Sequence, residues 1–211
     1  MIIGVDEVGR GPGAGPIVFC AFALLDQKND EKLRAEILKH FPKGKLRDSK
    51  KLSEKKREEL SEYFHTLKEK ELVTWTLAER SAEQIDKMGL SLCIKECLEE
   101  IMLSLHKLLL QNETSIKHED IYLKLDGGLK MGKEYIQETI IKGDEKILEI
   151  ACASIIAKVF RDTFMKSEAL HFPEYHFEKN KGYLTKEHIT LIKKCGVTEL
   201  HRTSFLKNFK I

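Results

Sequence analysis

Four carboxylates stand where hydrolysis of a phosphodiester could use them. Asp6 and Glu7 end the apolar run Ile2-Ile3-Gly4-Val5, Asp126 ends Ile121–Leu125 ahead of Gly127-Gly128, and Asp144 follows Lys142-Gly143. A carboxylate at a strand end is costly to bury without a hydrogen-bonding partner or a cation. Several of them close together cannot all stay ionised, because like charges repel at short range. An oxygen-rich set of this kind suits Mg²⁺ or Mn²⁺. Paired ions of that class activate water and stabilise the leaving oxygen in phosphodiester hydrolysis. A single D-G or K-G-D step is an ordinary turn; the joint pattern carries the reading. No G-x-x-x-x-G-K-[ST] loop, Ser/His/Asp order or Cys/His pairing competes with it.

The elements that must position these acids follow from local chemistry. β-Branched Ile2, Ile3 and Val5 favour a strand, and the Gly/Pro-rich stretch after Val8 ends it. Adjacent residues of a strand face opposite ways, so Asp6 and Glu7 can share a site only where the backbone leaves regular geometry; Gly9 and Gly11 permit that. Residues 17–25 are continuously apolar, as in a strand buried on both faces and returning antiparallel to the first. Helices are expected over 30–40, from an N-cap at Ser53 to about 68, from Ser81 to near Gly89, over 90–110, over 146–170 and over 185–194. Strands are expected at 73–77, 121–125 and 138–142, with a polar loop at 111–120 and irregular chain after Pro173.

The chain has 211 residues, 42% of them hydrophobic and 33% charged, which is enough for a sizeable core beneath a highly charged surface. No apolar run is long enough to cross a membrane. Five cysteines without a CxxC pair argue for a reducing, cytoplasmic setting, with Cys93 and Cys97 as small buried apolar residues. The net charge of +2 hides two basic tracts. Residues 43–57 and residues 179–210 each carry eight Lys/Arg against two acids, whereas residues 71–100 have a net charge of −4. Such tracts on an almost neutral chain point to a polyanion.

Read as blocks, the chain resembles the ribonuclease HII family. The blocks are Ile3-Gly4-Val5-Asp6-Glu7-Val8-Gly9-Arg10-Gly11-Pro12, Asp48-Ser49-Lys50-Lys51-Leu52, Asp126-Gly127 and Lys142-Gly143-Asp144. Ala153 to Val159 with Arg161-Asp162, Asn180-Lys181-Gly182-Tyr183 with Thr185 to His188, and His201-Arg202 with Ser204-Phe205 complete the set. They cover essentially the whole chain in the family's order. The resemblance implies an α/β fold: a ribonuclease H-like mixed sheet flanked by helices, with a small helical C-terminal extension. It implies a catalytic domain over 1–170 and a substrate-binding extension over 171–211. The activity implied is endonucleolytic cleavage of RNA in RNA–DNA hybrids, and incision 5′ of single ribonucleotides in duplex DNA, leaving 3′-hydroxyl and 5′-phosphate ends.

By the same resemblance, Asp6, Glu7, Asp126 and Asp144 bind Mn²⁺ or Mg²⁺. Gly9-Arg10-Gly11 reads the ribose 2′-hydroxyl through the backbone, and Tyr183 packs on the sugar of the next deoxynucleotide. Ser49, Lys50, Lys158 and Lys181 are expected to contact phosphates. Asp162 is read as half of a helix-surface ion pair with Arg161. The protein is expected to act as a cytoplasmic monomer without membrane attachment. Gly13 stands where the family has a larger apolar residue, which would loosen the loop. Leu184 replaces a glycine beside Tyr183, and Cys152 an alanine. Two rival enzymes are weaker. Arg10 and acids beginning at residue 6 disfavour the related ribonuclease HIII, and a small-substrate phosphatase leaves the basic tracts unexplained. A non-catalytic nucleic-acid-binding module would not need four acids.

Overall fold

Strand-forming residues at the start of the chain build the centre of a single sheet. The structure is a computed structural model, and it describes residues 1–25, 30–46, 48–111 and 120–209. Ile2–Val8 (β1), Ile17–Leu24 (β2), Val73–Arg80 (β3), Tyr122–Asp126 (β4) and Ile136–Ile140 (β5) form a mixed five-stranded sheet in the order β3-β2-β1-β4-β5. Every residue of β2 is buried, as its unbroken apolar run predicts. β1 pairs in parallel with β4, and β4 with β5. Val5 lies opposite Leu125, so the next residues of these neighbouring strands, Asp6 and Asp126, leave the ladder side by side. The carboxyl ends of parallel strands are where α/β folds place their chemistry.

The helices are Asp30–His40 (α1), Glu54–Glu69 (α2), Ala82–Met88 (α3), Leu90–Gln111 (α4), Leu148–His171 (α5), Phe177–Asn180 (α6), Lys186–Cys195 (α7) and Thr203–Leu206 (α8). Three start as their sequences predict. The hydroxyls of Ser53, Ser81 and Thr185 accept from the backbone N–H three residues on, and Ser81 with Gln84 completes a capping box. α2 packs on the sheet through Phe64, edge-on to Phe22 at 5.7 Å, with Trp75 stacked on Phe22 at 6.1 Å. Thr76, the next residue of β3, donates to the Ile101 carbonyl of α4 at 2.9 Å. Successive strand residues face opposite sides, so α2 and α4 cover opposite faces of the sheet. α5 crosses β1 at Gly4, where a β-carbon would lie 2.2 Å from the Glu149 backbone.

β5 ends two residues before the expected 138–142. Lys142 adopts a left-handed backbone at φ 56°, and the Gly143 N–H turns to Asp126 instead of extending the ladder. The loop expected over 111–120 falls largely outside the described residues, as does Arg47 of the first basic tract.

The chain forms two compact units that interleave in sequence. One comprises Met1–Glu7, Phe19–Ala78 and Leu98–Val159; the other comprises Val8–Val18, Glu79–Cys97 and Phe160–Ile211. The second unit has its own apolar core of Ala14, Met165, Tyr175, Phe177, Ile192 and Leu206. Asp86 of α3 joins it to the C-terminal segment by accepting from the Thr203 N–H at 2.6 Å, the Ser204 N–H at 3.0 Å and both hydroxyls.

Candidate active site

The acids of the first unit are held by donors from three different segments. Asp6 is 6% exposed, accepts from the Glu7 N–H at 2.7 Å, and is hydrogen-bonded to the Ser154 hydroxyl of α5. Asp126 accepts from the Gly143 N–H at 2.6 Å. Asp144 accepts from the Ser49 N–H. Ser154 and Ser49 are themselves joined at 2.8 Å, and the Arg57 guanidinium donates to the Ser49 carbonyl at 3.1 Å. Expected to contact phosphate, Ser49 is instead 2% exposed and links two of the acids from within. Lys50, the next residue, is exposed, and its N–H donates to Asp48 at 2.9 Å.

Electrostatics show what this arrangement lacks. Burial raises the Asp6 carboxyl well above its usual range, and the nearby Glu7 and Asp126 raise it further against the Ser154 hydrogen bond. Asp144 is raised by burial, then by Asp48 and Asp126. Asp6 thus lies within range of the charges of Glu7 and Asp126, and Asp144 within range of that of Asp126. Among the described residues, no three carboxylate, imidazole or thiol groups already stand in chelating positions. The donor chemistry fits a hard divalent cation, which takes carboxylates in company with waters and substrate oxygens and relieves this repulsion.

The second unit begins at Val8, directly after these acids in the chain, and holds its loop with two fully buried arginines. Arg161 donates to the carbonyls of Pro16 at 2.8 Å, Ala14 at 2.9 Å and Lys181 at 2.9 Å. Arg202 donates to Gly9 at 2.7 Å, to Gly15 at 2.9 and 2.7 Å, and to Arg10 at 3.3 Å. The guanidiniums are so enclosed that burial lowers Arg161 to about 10, and burial together with Arg161 lowers Arg202 to about 9. Gly9 has φ 94°, and a β-carbon there would lie 2.4 Å from Arg161 Nε, so the turn requires glycine on both counts.

The same scaffold carries the segment around Tyr183. The Gly13 and Ala14 N–H groups donate to the Gly182 carbonyl at 3.0 and 3.2 Å. Gly182 has φ 83°, and a β-carbon there would meet the Ala14 carbonyl at 2.2 Å. Arg10, Gly11 and Tyr183 are exposed on this held backbone, Tyr183 at 45%. Lys158 and Lys181 are half-buried.

Two readings of the sequence change here. Arg161 and Asp162 are both buried, so they are not a helix-surface pair; Arg161 lies four residues after Ala157 on the inner stripe of α5 and is needed for the loop carbonyls. Gly13 does not loosen the loop. A β-carbon on it would be 2.6 Å from Leu184 Cγ and Cδ2, so the Leu184 side chain fills the space that the missing one leaves. Ser154, Arg161, His188, His201 and Arg202 carry the site's hydrogen bonds without having been singled out for that role. Their signal is a polar residue on an otherwise buried stripe.

A model of the family described as Ribonuclease HII matches residues 3–208. Ribonuclease HII of Clostridium acetobutylicum is 45% identical over 208 residues, covering 99% of this chain and 73% of the relative. The Helicobacter pylori G27 protein of the same name is 42% identical, covering 99% and 93%. The ribonuclease HII seen in a complex with PCNA from Archaeoglobus fulgidus superposes with a TM-score of 0.67 at 23% identity, over 100% of this chain and 97% of that one, a likeness of fold.

Proposed function

The chain belongs to the ribonuclease HII family, a family of ribonuclease H endonucleases acting on RNA–DNA hybrids, and from that premise we propose that it also incises duplex DNA 5′ of single embedded ribonucleotides. Products carry 3′-hydroxyl and 5′-phosphate ends. The observation that carries this reading is that burial and neighbouring acids, Glu7 and Asp126 for Asp6 and Asp48 and Asp126 for Asp144, raise the proton affinity of both carboxyls, an arrangement that calls for cations. Asp6, Glu7, Asp126 and Asp144 hold two Mg²⁺ or Mn²⁺ ions. Bound there, the ions supply an activated water and stabilise the leaving oxygen.

The chain's own groups aim that site. Ser154 fixes one face of the Asp6 carboxyl, the Gly143 N–H fixes Asp126, and the Ser49 N–H fixes Asp144, so each of these acids keeps an anchor on one side while its free oxygen turns to a cation. Gly9-Arg10-Gly11 reads the ribose 2′-hydroxyl, a role supported by a backbone that Arg161 and Arg202 hold rigid. Tyr183 packs on the following deoxyribose; its exposed ring on an anchored backbone supports this. Lys50, Lys158 and Lys181 meet phosphates. Catalysis resides in residues 1–170 and further binding in residues 171–211. The enzyme works as a cytoplasmic monomer. Among the described residues no helix is long and apolar enough to cross a membrane.

The test is incubation of the purified protein with labelled duplex DNA holding one ribonucleotide, with and without Mg²⁺. Metal-dependent cutting on the 5′ side of the ribonucleotide is expected. Binding without cutting in either Mg²⁺ or Mn²⁺ would instead favour the non-catalytic module.

A further inference from the structure

Behind Tyr183 lies a pair of buried histidines that the chemistry above does not use. His188 of α7 and His201, just before α8, are both nearly inaccessible, with their Nε2 atoms 3.1 Å apart. Each ring is tied at its other nitrogen. His188 Nδ1 lies 2.9 Å from the Tyr183 carbonyl, and His201 Nδ1 lies 2.9 Å from the Thr198 backbone nitrogen and 3.0 Å from its hydroxyl.

These partners fix both tautomers. A carbonyl oxygen can only accept, so His188 Nδ1 carries the proton, and in the neutral ring its Nε2 is bare. A backbone N–H can only donate, so His201 Nδ1 is bare and its Nε2 carries the proton. The 3.1 Å link is therefore a hydrogen bond from His201 Nε2 to His188 Nε2. The chain runs one way, from the Thr198 N–H through both rings to the Tyr183 carbonyl. A second proton on either ring sets donor against donor, at the Thr198 N–H or between the rings, and breaks the chain.

Both ends of this chain lie on substrate-reading elements. Ala14 of the ribose-reading loop forms an isolated antiparallel bridge with His201, the Gly15 N–H donates to the Leu200 carbonyl at 2.8 Å, and the Arg202 N–H donates to the Gly13 carbonyl at 2.8 Å. At the other end is the backbone of Tyr183. We infer that His188 and His201 are positioning residues, a neutral imidazole relay that holds Tyr183 in register with the Gly9–Pro16 loop and thereby sets the preference for an RNA-to-DNA junction. The inference rests on the reading of Tyr183 given above.

The surroundings keep the relay neutral. Tyr175 and Phe177 wall it with aromatic rings, the Tyr175 ring centroid lying 5.0 Å from His201 and that of Phe177 5.5 Å from His188. Among the described residues, the titratable groups seen against the pair are the two imidazoles themselves and the Tyr175 phenol, whose hydroxyl donates to the Gly196 carbonyl at 2.9 Å. Burial lowers both imidazoles, and His201, with His188 beside it, falls to about 4.

Two measurements test the relay. Long-range ¹H–¹⁵N spectra of the unaltered full chain at neutral pH should show His188 as the Nδ1–H and His201 as the Nε2–H tautomer. The opposite tautomers, or an imidazolium, would overturn the inference without reference to any substrate. The second measurement is kcat/KM on a duplex with one ribonucleotide, divided by kcat/KM on a long RNA–DNA hybrid. His188→Phe and His201→Phe keep aromatic bulk but leave a polar group unpartnered, and should each lower this ratio by about five- to tenfold, near the lower end of the effect of one unsatisfied buried group. His188→Asn retains an N–H donor for the Tyr183 carbonyl and should recover most of the ratio. A general packing role would instead slow both substrates alike and show no rescue by asparagine. Tyr183→Ala is measured alongside. If it lowers the ratio and the histidine variants do not, the relay is refuted while the junction reading stands. If Tyr183→Ala leaves the ratio unchanged, the junction reading itself fails, and the selectivity role of the relay fails with it.

Discussion

The acid cluster and the loop that follows it in the chain treat buried polarity in opposite ways. Asp6 and Asp144 have donors on one side, from Ser154 and from the Ser49 N–H, yet remain raised by burial and by each other's neighbours. Burial and like charge outweigh those donors. In the second unit, Arg161 and Arg202 are fully buried, more deeply than Asp144, but their N–H groups are matched to backbone carbonyls between 2.7 and 3.3 Å. His188 and His201 are matched as completely, in a neutral state. A site that must receive charge is left electrostatically incomplete, whereas a surface that must measure shape is completed in advance. Removing a group should therefore damage chemistry in the first region and folding or selectivity in the second.

The largest effect belongs to the acids. Asp126→Asn keeps the acceptor for the Gly143 N–H but removes one charge, so cleavage should fall by orders of magnitude with the fold intact. Without metal, its melting temperature should equal or exceed that of the unaltered protein, because the repulsion on Asp6 and Asp144 is relieved. The same scan with added Mg²⁺ should stabilise the unaltered protein more than the variant. Near-native cleavage by Asp126→Asn would remove the acid set from the mechanism.

Arg202 should give the largest loss of stability. Arg202→Met leaves the Gly9 and Gly15 carbonyls buried without donors, a loss of roughly 3–5 kcal/mol by analogy with other broken buried charge networks. Arg202→Lys keeps the charge but not the planar fork that serves three residues at once, so most of the loss should persist in chemical denaturation. A lysine variant as stable as the unaltered protein would show that charge alone, without the fork, holds the loop.

Acid should separate the regions by sign. The imidazole of His201 is lowered to about 4 in the folded protein, against an ordinary value of 6.5. Between those values the unfolded chain binds more protons than the folded one, so this contribution is present above pH 6.5 and is lost as pH falls towards 4. It amounts to about 3 kcal/mol at most. The carboxyls of Asp6 and Asp144 are raised, and in metal-free protein their protonation works the other way. His201→Phe should therefore flatten the acid-side fall in unfolding free energy between pH 6.5 and 4. An unchanged slope would mean that His201 is already charged in the fold.

Much of this was legible in the sequence, for reasons that differ by element. Ser53, Ser81 and Thr185 announce their helices because capping is a local hydrogen bond, decided within four residues. β2 is evident from eight consecutive apolar residues. The acids were visible because a carboxylate at a strand end has no packing role. The end of β5 was misjudged by two residues because it is fixed by a tertiary bond, from the Gly143 N–H to Asp126. Arg161 was misplaced on the surface for the same reason: its carbonyl acceptors lie about twenty and about 145 residues away in the chain. Ser49 and Lys50 stand together in one block of the sequence, and only burial, set by the tertiary fold, separates the enclosed serine from the exposed lysine.

The smallest predicted effect probes the completeness of the second region most directly. Gly13 and Leu184 are two positions at which the sequence is expected to depart from the family's pattern, the first in the loop and the second beside Tyr183. They meet, however: Leu184 Cγ, Cδ1 and Cδ2 lie 2.6–2.8 Å from where a β-carbon of residue 13 would stand. Gly13→Leu should drive a new side chain into that space and destabilise by about 1–3 kcal/mol, the usual range for overpacking. Leu184→Ala should open a gap over Gly13 and lose about 1–2 kcal/mol, less than a fully enclosed leucine because this one is half-buried. In Gly13→Leu with Leu184→Ala, the leucine at residue 13 occupies the vacated space, so the double variant should be more stable than the sum of the singles by about 1 kcal/mol or more. Denaturant unfolding of the four proteins measures this coupling. Strict additivity would mean that the side chains move apart without cost, and that the loop at residues 9–16 is held by its hydrogen bonds without help from this contact.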